Sequence, residues 1–164
     1  MATTAYLGLG SNLGDRLGNL QAAVDGLHEA DGVRVVASSR VWETAPVGPP
    51  QPDYLNAVVR VETDLSPADL LGACRRVEEV LGRVRRERWG ARTIDVDVLL
   101  FDARTVDEPD LVVPHPRLTE RAFVVLPLLE LDPDPILPDG RRVRNVRLDT
   151  DGAAPFAPPL VVRP

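Results

Sequence analysis

The sequence contains no lysine, and all 19 of its basic residues are arginines. A P-loop needs a lysine that reaches the β- and γ-phosphates of a bound nucleotide, so this absence excludes that class of nucleotide site. Arginine can still bind phosphate oxygens through forked, charge-assisted hydrogen bonds. Any binding of ATP by this chain must therefore use a site other than a P-loop.

Cysteine and aromatic residues are also scarce. The one cysteine, Cys74, cannot form an internal disulfide, and we expect it to be a buried thiol on the apolar side of a helix in a cytoplasmic protein. Two Trp, two Tyr and three Phe residues are few for an RNA-binding sheet, which stacks bases on exposed aromatic rings. The formal charge of −6 likewise argues against a nucleic-acid partner, because general nucleic-acid binders use a broad basic surface.

Long apolar runs are absent as well. No stretch approaches the roughly 20 apolar residues that cross a bilayer, and the first residues lack the basic and apolar regions of a signal peptide. A chain of 164 residues, 44% of them hydrophobic, can bury a core of its own. We therefore expect one soluble cytoplasmic domain over residues 1–164 without a membrane partner, with a loose proline-rich tail over about residues 150–164.

The periodicity of the apolar residues predicts an α+β fold. Alternating or β-branched residues predict strands at 4–8, 33–42, 54–62 and 93–101. One helix is predicted to follow the first strand, another to start at a Ser66 cap and end near Gly82, and a third to lie near residues 119–131. The order strand, helix, strand, strand, helix, strand indicates a ferredoxin-like α/β sandwich, in which helices pack on a mainly antiparallel sheet.

Two aspartates mark the last of these strands. Asp95 and Asp97 alternate with apolar residues, so both carboxylates are expected on one face of the strand, with their Cβ atoms roughly 7 Å apart. Neighbouring carboxylates repel each other unless a cation lies between them, and Mg²⁺ is bound by a few carboxylates together with substrate phosphates. The pair predicts a magnesium site, although the same short pattern also suits a solvated sheet face.

A run of arginines leads directly into this strand. Residues 83–92 read RVRRERWGAR, with five arginines and one glutamate. Arginines bind phosphate oxygens, while metal ions neutralise the charge that develops during phosphoryl transfer. The run and the two aspartates together predict a polyphosphate site, with the arginine segment as a lid that orders on ATP.

Residues 88–99, RWGARTIDVDVL, resemble the signature of the 6-hydroxymethyl-7,8-dihydropterin pyrophosphokinase family. The resemblance covers about residues 4–140 and continues in YLGLGSN (6–12), TAPVGPPQPDYLN (44–56) and VPHPRLTERAF (113–123). It implies a ferredoxin-like monomer that acts in folate biosynthesis. Such an enzyme uses two Mg²⁺ ions to transfer the β,γ-diphosphate of ATP to the hydroxymethyl group of the pterin, and it releases AMP.

The resemblance also implies roles for individual residues, with Asp95 and Asp97 as the metal ligands and Asp97 as an aid to deprotonation of the substrate hydroxyl. The implied catalytic set is Arg83, Arg92, Asp95 and Asp97. The implied ATP-binding set is Glu78, Arg85, Arg88, Val98, His115 and Arg121. The implied pterin-binding set is Thr44, Val47, Tyr54, Asn56, Trp89 and Phe123.

Within the pterin set, Asn56 is expected to read the hydrogen-bonding edge of the ring, because an amide offers both a donor and an acceptor. Phe123 and either Tyr54 or Trp89 would sandwich the flat ring. Gly8 and Gly10 do not form a dinucleotide fingerprint, since Leu13 stands where the third glycine is required. They are interpreted as positions of close backbone packing beside this pocket.

Two alternatives stay open at this point. A ferredoxin-like module could bind a ligand or RNA on its sheet without catalysis. A magnesium-dependent transferase could instead act on a different alcohol, since it would use the same carboxylates and arginines. Only the residues assigned to the pterin favour a pterin as the acceptor.

Overall fold

The structure is a computed structural model, and it describes residues 2–45, 50–82 and 93–163. The elements in chain order are β1 (Thr3–Ser11), α1 (Arg16–Glu29), β2 (Val33–Ser38), β3 (Val41–Thr44), β4 (Tyr54–Thr63), α2 (Pro67–Leu81), β5 (Asp95–Phe101), β6 (Val106–Glu108), β7 (Leu111–Val113), α3 (Ala122–Leu131) and β8 (Ala153–Ala157). Short 3₁₀ turns lie at Leu118–Glu120 and Val143–Asn145. None of the helices in these described ranges is long and apolar enough to span a membrane.

Six strands of the described residues form one antiparallel sheet in the order β5-β1-β4-β3-β8, with β2 also paired to β4. Strands β6 and β7 form a separate hairpin. The strand order and the packed helices confirm the predicted ferredoxin-like α+β fold. Strand β1 lies between β4 and β5 and therefore fixes how their side chains line up.

The two faces of the sheet carry different helices. Helices α1 and α2 pack on one face, where they bury alternate residues of the central strands such as Leu7, Val59 and Val96. Helix α3 packs on the other face against Val58 and Leu99. The single cysteine, Cys74, lies on the buried side of α2 as expected, and this burial raises the pKa of its thiol to about 12.

Local sequence explains where the first two helices begin. The Asp15 carboxylate accepts a hydrogen bond from the Gly18 amide at 3.1 Å, and the Ser66 hydroxyl accepts one from the Asp69 amide at 3.2 Å. Pro67 occupies the first turn of α2, where its missing N–H costs no helical hydrogen bond. The predicted start of α2 is confirmed.

The single strand predicted over residues 33–42 is instead two strands, β2 and β3, and both pair with β4. Between them, the Ser39 hydroxyl accepts a hydrogen bond from the Val58 amide at 2.9 Å. The Arg40 amide turns away from the sheet and donates to Glu130 of α3 at 2.9 Å. The Ser39 amide still donates to the Val58 carbonyl at 2.9 Å, so the two side chains supplement the backbone ladder at this break. The run of β-branched residues could not indicate the break.

The expectation of a loose tail over residues 150–164 is wrong for the described part. Strand β8 pairs with β3, and the Leu160 side chain is buried against the core. The Gln21 side chain exchanges two hydrogen bonds of 2.9 Å with the backbone of Val161. The prolines of this segment had suggested disorder. An edge strand tolerates proline, however, because one of its sides needs no backbone donor. Pro155 lies in such an edge strand, β8, opposite Trp42 of β3.

Leu160 and Val161 provide a test of this tail. Leu160 is 6% exposed and Val161 is 66% exposed, so we expect Leu160→Ala to lower the free energy of unfolding by about 2 kcal/mol, as for other buried leucines. Val161→Ala should change it by less than about 0.5 kcal/mol. Urea unfolding of both variants measures the difference, and equal values would mean that the tail does not pack in solution.

Candidate active site

The two aspartates of β5 lie on the same face of the sheet. Asp97 is exposed and Asp95 is half-buried, whereas Val96 and Val98 between and beyond them are buried in the core. Strand β5 is tied to α2 by the Val96 amide, which donates to a Glu78 carboxylate oxygen at 2.9 Å. The alternation therefore sets the aspartates on the face opposite to α1 and α2.

The strand register joins these aspartates to the residues predicted to bind the pterin. Gly10 lies opposite Asp95 on one side and opposite Asn56 on the other. Residues in register across a sheet point to the same face, and neighbouring strands are about 4.8 Å apart. Asp95 and Asn56 therefore share one face at a backbone separation of about 10 Å, with only a glycine between them.

Asn56 is part of a buried polar group. It is 5% exposed, and its Nδ2 donates a hydrogen bond of 2.6 Å to the hydroxyl oxygen of Thr44, which is also 5% exposed. A methyl group built on Gly10 would lie 3.0 Å from Asn56 Oδ1 and 3.5 Å from the ring of Tyr54. Tyr54 and Asn56 thus lie close to Gly10, and Thr44 joins them through its hydrogen bond to Asn56. This close packing agrees with the interpretation of Gly10 made from the sequence.

The sequence analysis missed two residues that hold this region. Asn12 is buried, and its Nδ2 donates to Gln51 Oε1 at 2.7 Å and to the Pro52 carbonyl at 3.0 Å. Arg16 bonds Glu43 and the Asp53 carbonyl, both at 2.9 Å. The available signal for Asn12 was its place at the end of YLGLGSN, one of the motifs that carry the family resemblance, and the sequence held no such signal for Arg16.

His115 lies beside the other end of the aspartate pair. Its amide donates to the Leu99 carbonyl of β5 at 3.0 Å, and its Nδ1 accepts from the Arg117 amide at 3.2 Å. Burial lowers the pKa of His115, Asp97 acts in the opposite direction, and Arg121 and Arg117 lower it further. The ring is therefore neutral near pH 7, and because Nδ1 is an acceptor its proton lies on Nε2.

Two further predicted residues lie at the start of α3. The Arg121 guanidinium stacks over the Phe123 ring at 5.3 Å from its centroid. Phe123 is half-buried against the α3 side of the core. Arg121 also acts electrostatically on His115, so these residues belong to the same face as the aspartates.

Some predicted residues are not brought together. The Val98 side chain is buried in the core beneath the sheet, so a nucleotide could meet only its main chain. Six residues fall outside the described ranges, namely Arg83, Arg85, Arg88, Trp89, Arg92 and Val47. Within 2–45, 50–82 and 93–163, no cluster of three or more His, Cys, Asp or Glu side chains could hold a metal by itself.

Comparison with known proteins gives consistent matches. The model of the 7,8-dihydro-6-hydroxymethylpterin-pyrophosphokinase family matches residues 6–133. The 2-amino-4-hydroxy-6-hydroxymethyldihydropteridine pyrophosphokinase of Methylorubrum extorquens is 46% identical over 92% of this chain and 96% of its own. The enzyme of the same name from Pseudomonas aeruginosa is 44% identical over 87% and 89%.

Solved structures match the fold. A crystal structure of an HPPK-DHPS protein in complex with substrates has a TM-score of 0.70 at 13% identity. The wild-type HPPK-DHPS of Plasmodium falciparum has a TM-score of 0.69 at 15% identity. This chain is covered to 88% and 89% in the two matches, but it spans only 42% and 44% of those longer chains.

These matches and the acidic face define the class of protein: an enzyme that transfers pyrophosphate, a diphosphotransferase. More particularly, the chain belongs to the 7,8-dihydro-6-hydroxymethylpterin-pyrophosphokinase family. The family and its relatives support this activity in folate biosynthesis, and the family implies ATP as co-substrate. The alternative of a binding module without catalysis is set aside.

Gly10 allows a direct test of the shared face. In Gly10→Ala the new methyl group would press on Asn56 Oδ1 at 3.0 Å, and such overpacking costs about 1–3 kcal/mol. We expect the amide to shift and kcat/KM for pyrophosphate transfer to fall about tenfold, the effect of about 1.4 kcal/mol.

Gly72→Ala is the matched control, because a methyl group there meets only Arg76 Nη1 at 3.5 Å. It should keep the wild-type rate and gain up to about 1 kcal/mol from helix propensity. Steady-state kinetics and urea unfolding compare the two variants. A Gly10→Ala enzyme as active as Gly72→Ala would contradict the close approach of Gly10 and Asn56.

Proposed function

We propose that this enzyme transfers the β,γ-diphosphate of ATP to the hydroxymethyl group of 6-hydroxymethyl-7,8-dihydropterin, giving the pterin diphosphate and AMP. The observation that carries the proposal is the register row Asp95, Gly10 and Asn56 across three strands. This row supports a site in which a carboxylate for the phosphates, Asp95, and an amide for the pterin ring, Asn56, lie side by side on one face of the sheet. The names of the relatives supply the pterin substrate, and the family implies ATP as the second substrate.

Asp95 and Asp97 fit the binding of two Mg²⁺ ions. Two carboxylates from one strand are fewer ligands than the ions require, and Mg²⁺ usually completes its octahedron with water and substrate phosphates. Asp95 and Asp97 would hold the ions, whose positive charge would offset the charge that develops during in-line attack on the β-phosphorus. Asp97, the exposed carboxylate of the pair, would assist removal of the proton from the attacking hydroxyl.

The pterin would lie over Gly10. The Thr44 hydroxyl holds one N–H of the Asn56 amide and so fixes the orientation of that amide. An amide has a second N–H and a carbonyl oxygen, which suit the donor and acceptor edge of a pterin. Main-chain groups of Thr44 and Val47 would assist, and two of the rings of Tyr54, Trp89 and Phe123 would enclose the pterin from both sides.

The triphosphate and nucleoside would lie along the His115 side of the aspartates. Neutral His115 carries its proton on Nε2, and that N–H can donate to a phosphate oxygen. Arg121 adds a fixed positive charge near His115. Within this proposal the remaining nucleotide contacts come from Glu78, Arg85, Arg88 and the main chain of Val98, while Arg83 and Arg92 stabilise the transferring phosphates.

The proposal also keeps the expectations that the chain acts as a single-domain monomer in the cytoplasm. Size-exclusion chromatography with light scattering measures the monomeric state. The catalytic assignment does not depend on it, because the register row lies within one chain.

Product analysis tests the reaction. The purified protein is mixed with ATP, Mg²⁺ and 6-hydroxymethyl-7,8-dihydropterin, and the nucleotides and pterins are separated by chromatography. We expect AMP and a pterin diphosphate in equal amounts, and no turnover after Mg²⁺ is removed with a chelator. Formation of ADP, or a better rate with an unrelated alcohol, would contradict the proposal.

The role of Asp97 is tested by Asp97→Asn. We expect kcat to fall at least about a hundredfold, as when other groups that stabilise developing charge are removed. The melting temperature should hardly change, because Asp97 is exposed.

Asp64→Asn is the control, since Asp64 is also exposed and follows Thr63, at the end of the sheet away from Gly10. It should retain the wild-type rate. An Asp97→Asn enzyme with wild-type kcat would remove this carboxylate from the chemistry.

A further inference from the structure

Arg16, the first residue of α1, contacts three separate parts of the chain. Its Nη1 donates to Glu43 Oε2 of β3 and to the Asp53 carbonyl before β4, both at 2.9 Å. Its guanidinium also lies over the ring of Phe156 in β8, at 5.5 Å from the centroid. The Arg16 side chain is only 25% exposed, so these contacts are partly shielded from water.

The two hydrogen-bond partners are the chain neighbours of pterin-pocket residues. Glu43 precedes Thr44, and Asp53 precedes Tyr54. Thr44 and Tyr54 pair with each other at the end of the β3–β4 ladder, where the chain leaves the sheet and re-enters it. Arg16 therefore holds both ends of this connection through a single nitrogen atom.

Arg16 reaches this connection from the opposite face of the sheet. Side chains alternate along a strand, so Glu43 points away from the face that carries Thr44. Arg16 begins α1, which packs on that other face. It therefore cannot touch a ring bound over Gly10, and any effect on the pterin must pass through Thr44 and Tyr54.

A second side chain from the same β1–α1 connection acts on the same segment. Asn12 Nδ2 donates to the Gln51 side chain at 2.7 Å and to the Pro52 carbonyl at 3.0 Å. Asn12 and Arg16 together bond three consecutive residues, 51–53. This concentration of long-range hydrogen bonds marks the segment as one whose position is set from the α1 side.

The chemistry of arginine suits this place. Its guanidinium is planar, so it can donate in its plane to a carboxylate and a carbonyl while its flat face covers an aromatic ring. Phe156 is an exposed large apolar residue, and a cation over its face gives it a favourable contact. The contact links the C-terminal strand to the same connection.

We propose that Arg16 is a positioning residue for the pterin pocket: by bonding Glu43 and Asp53 it fixes the end of the β3–β4 ladder that carries Thr44 and Tyr54. The proposal rests on the proposed function, since it assigns the pterin to these residues. It predicts an effect on one substrate. Loss of Arg16 weakens binding of the pterin and leaves ATP, whose site lies on the β5 side of the sheet, nearly unaffected.

Arg16→Gln tests the proposal, with Arg34→Gln as the matched control. Arg34 also pairs with a glutamate of the sheet, Glu62, at 3.0 Å, but at the end of β4 away from Tyr54. For each full-length variant, KM is measured for the pterin alcohol and for ATP, together with kcat and the melting temperature. Titration calorimetry of the pterin alcohol with a non-hydrolysable ATP analogue gives Kd directly.

In Arg16→Gln we expect KM and Kd for the pterin alcohol to rise about tenfold, a loss of about 1.4 kcal/mol. KM for ATP should stay within about twofold of the wild-type value. Arg34→Gln should match the wild type in both constants. Equal increases for the two substrates, or an unchanged KM for the pterin alcohol, would overturn the proposal.

Two milder variants cover the case in which Arg16→Gln does not fold. Glu43→Gln removes the charge of one hydrogen-bond partner of Arg16, and Phe156→Leu removes the ring beneath its guanidinium; each should raise KM for the pterin alcohol about threefold with little change for ATP. No change in either variant would overturn the proposal. A wild-type enzyme that forms no AMP would instead refute the proposed function, so the two failures are distinguishable.

Discussion

The site depends on the pairing register of β1 with its two neighbours. Gly8 and Gly10 face Asp97 and Asp95 on one side and Val58 and Asn56 on the other. Because side chains alternate with a period of two, a shift of β1 by one residue would bring Leu9 into this row. The register is therefore the condition under which carboxylates, glycine and amide can line up.

The buried face maintains that register. Leu7 and Leu9 of β1 are packed with Val96 and Val98 of β5 under α1 and α2. A one-residue slip of β1 would expose Leu7 and Leu9 and turn Gly8 and Gly10 towards the core. Full burial of one such leucine side chain is worth about 1.5–3 kcal/mol. The hydrophobic core beneath the sheet thus specifies the position of polar groups above it, although no core residue touches the site.

Features of the structure that depend on neighbouring residues could be predicted from the sequence. Alternation along residues 93–101 gave the common face of Asp95 and Asp97, and the serine and proline at the start of α2 gave its first turn. The fold class followed from the order of such elements. Membership of the family followed from motifs that are themselves continuous stretches of sequence.

What could not be predicted involves partners far apart in the chain. Arg16 and Glu43 are 27 residues apart, and Asn12 and Pro52 are 40 apart, and no periodicity reveals such pairs. The C-terminal strand was interpreted as loose because its prolines were weighed by composition alone, whereas its pairing with β3 depends on an edge left open by the rest of the sheet. Val98 was assigned to the ATP-binding set from the family resemblance, which does not distinguish side-chain from main-chain contacts. Strand alternation had already placed its side chain in the core.

Such long-range contacts also explain how the carboxylate half of the site, on β5, and the amide half, on β4 and β3, are supported. The carboxylates lie on β5, one edge of the sheet, whose Leu99 carbonyl accepts from His115. The amide group extends to β3, a strand of four residues that pairs with β4 only through residues 42–44. Without β8, β3 would be a short edge strand, and such strands open easily. The C-terminal strand makes β3 an inner strand, and Arg16 ties it to α1. The amide side of the site is thus supported by late and distant parts of the chain, while the carboxylate strand is supported by β1, by α2 and by the His115 amide.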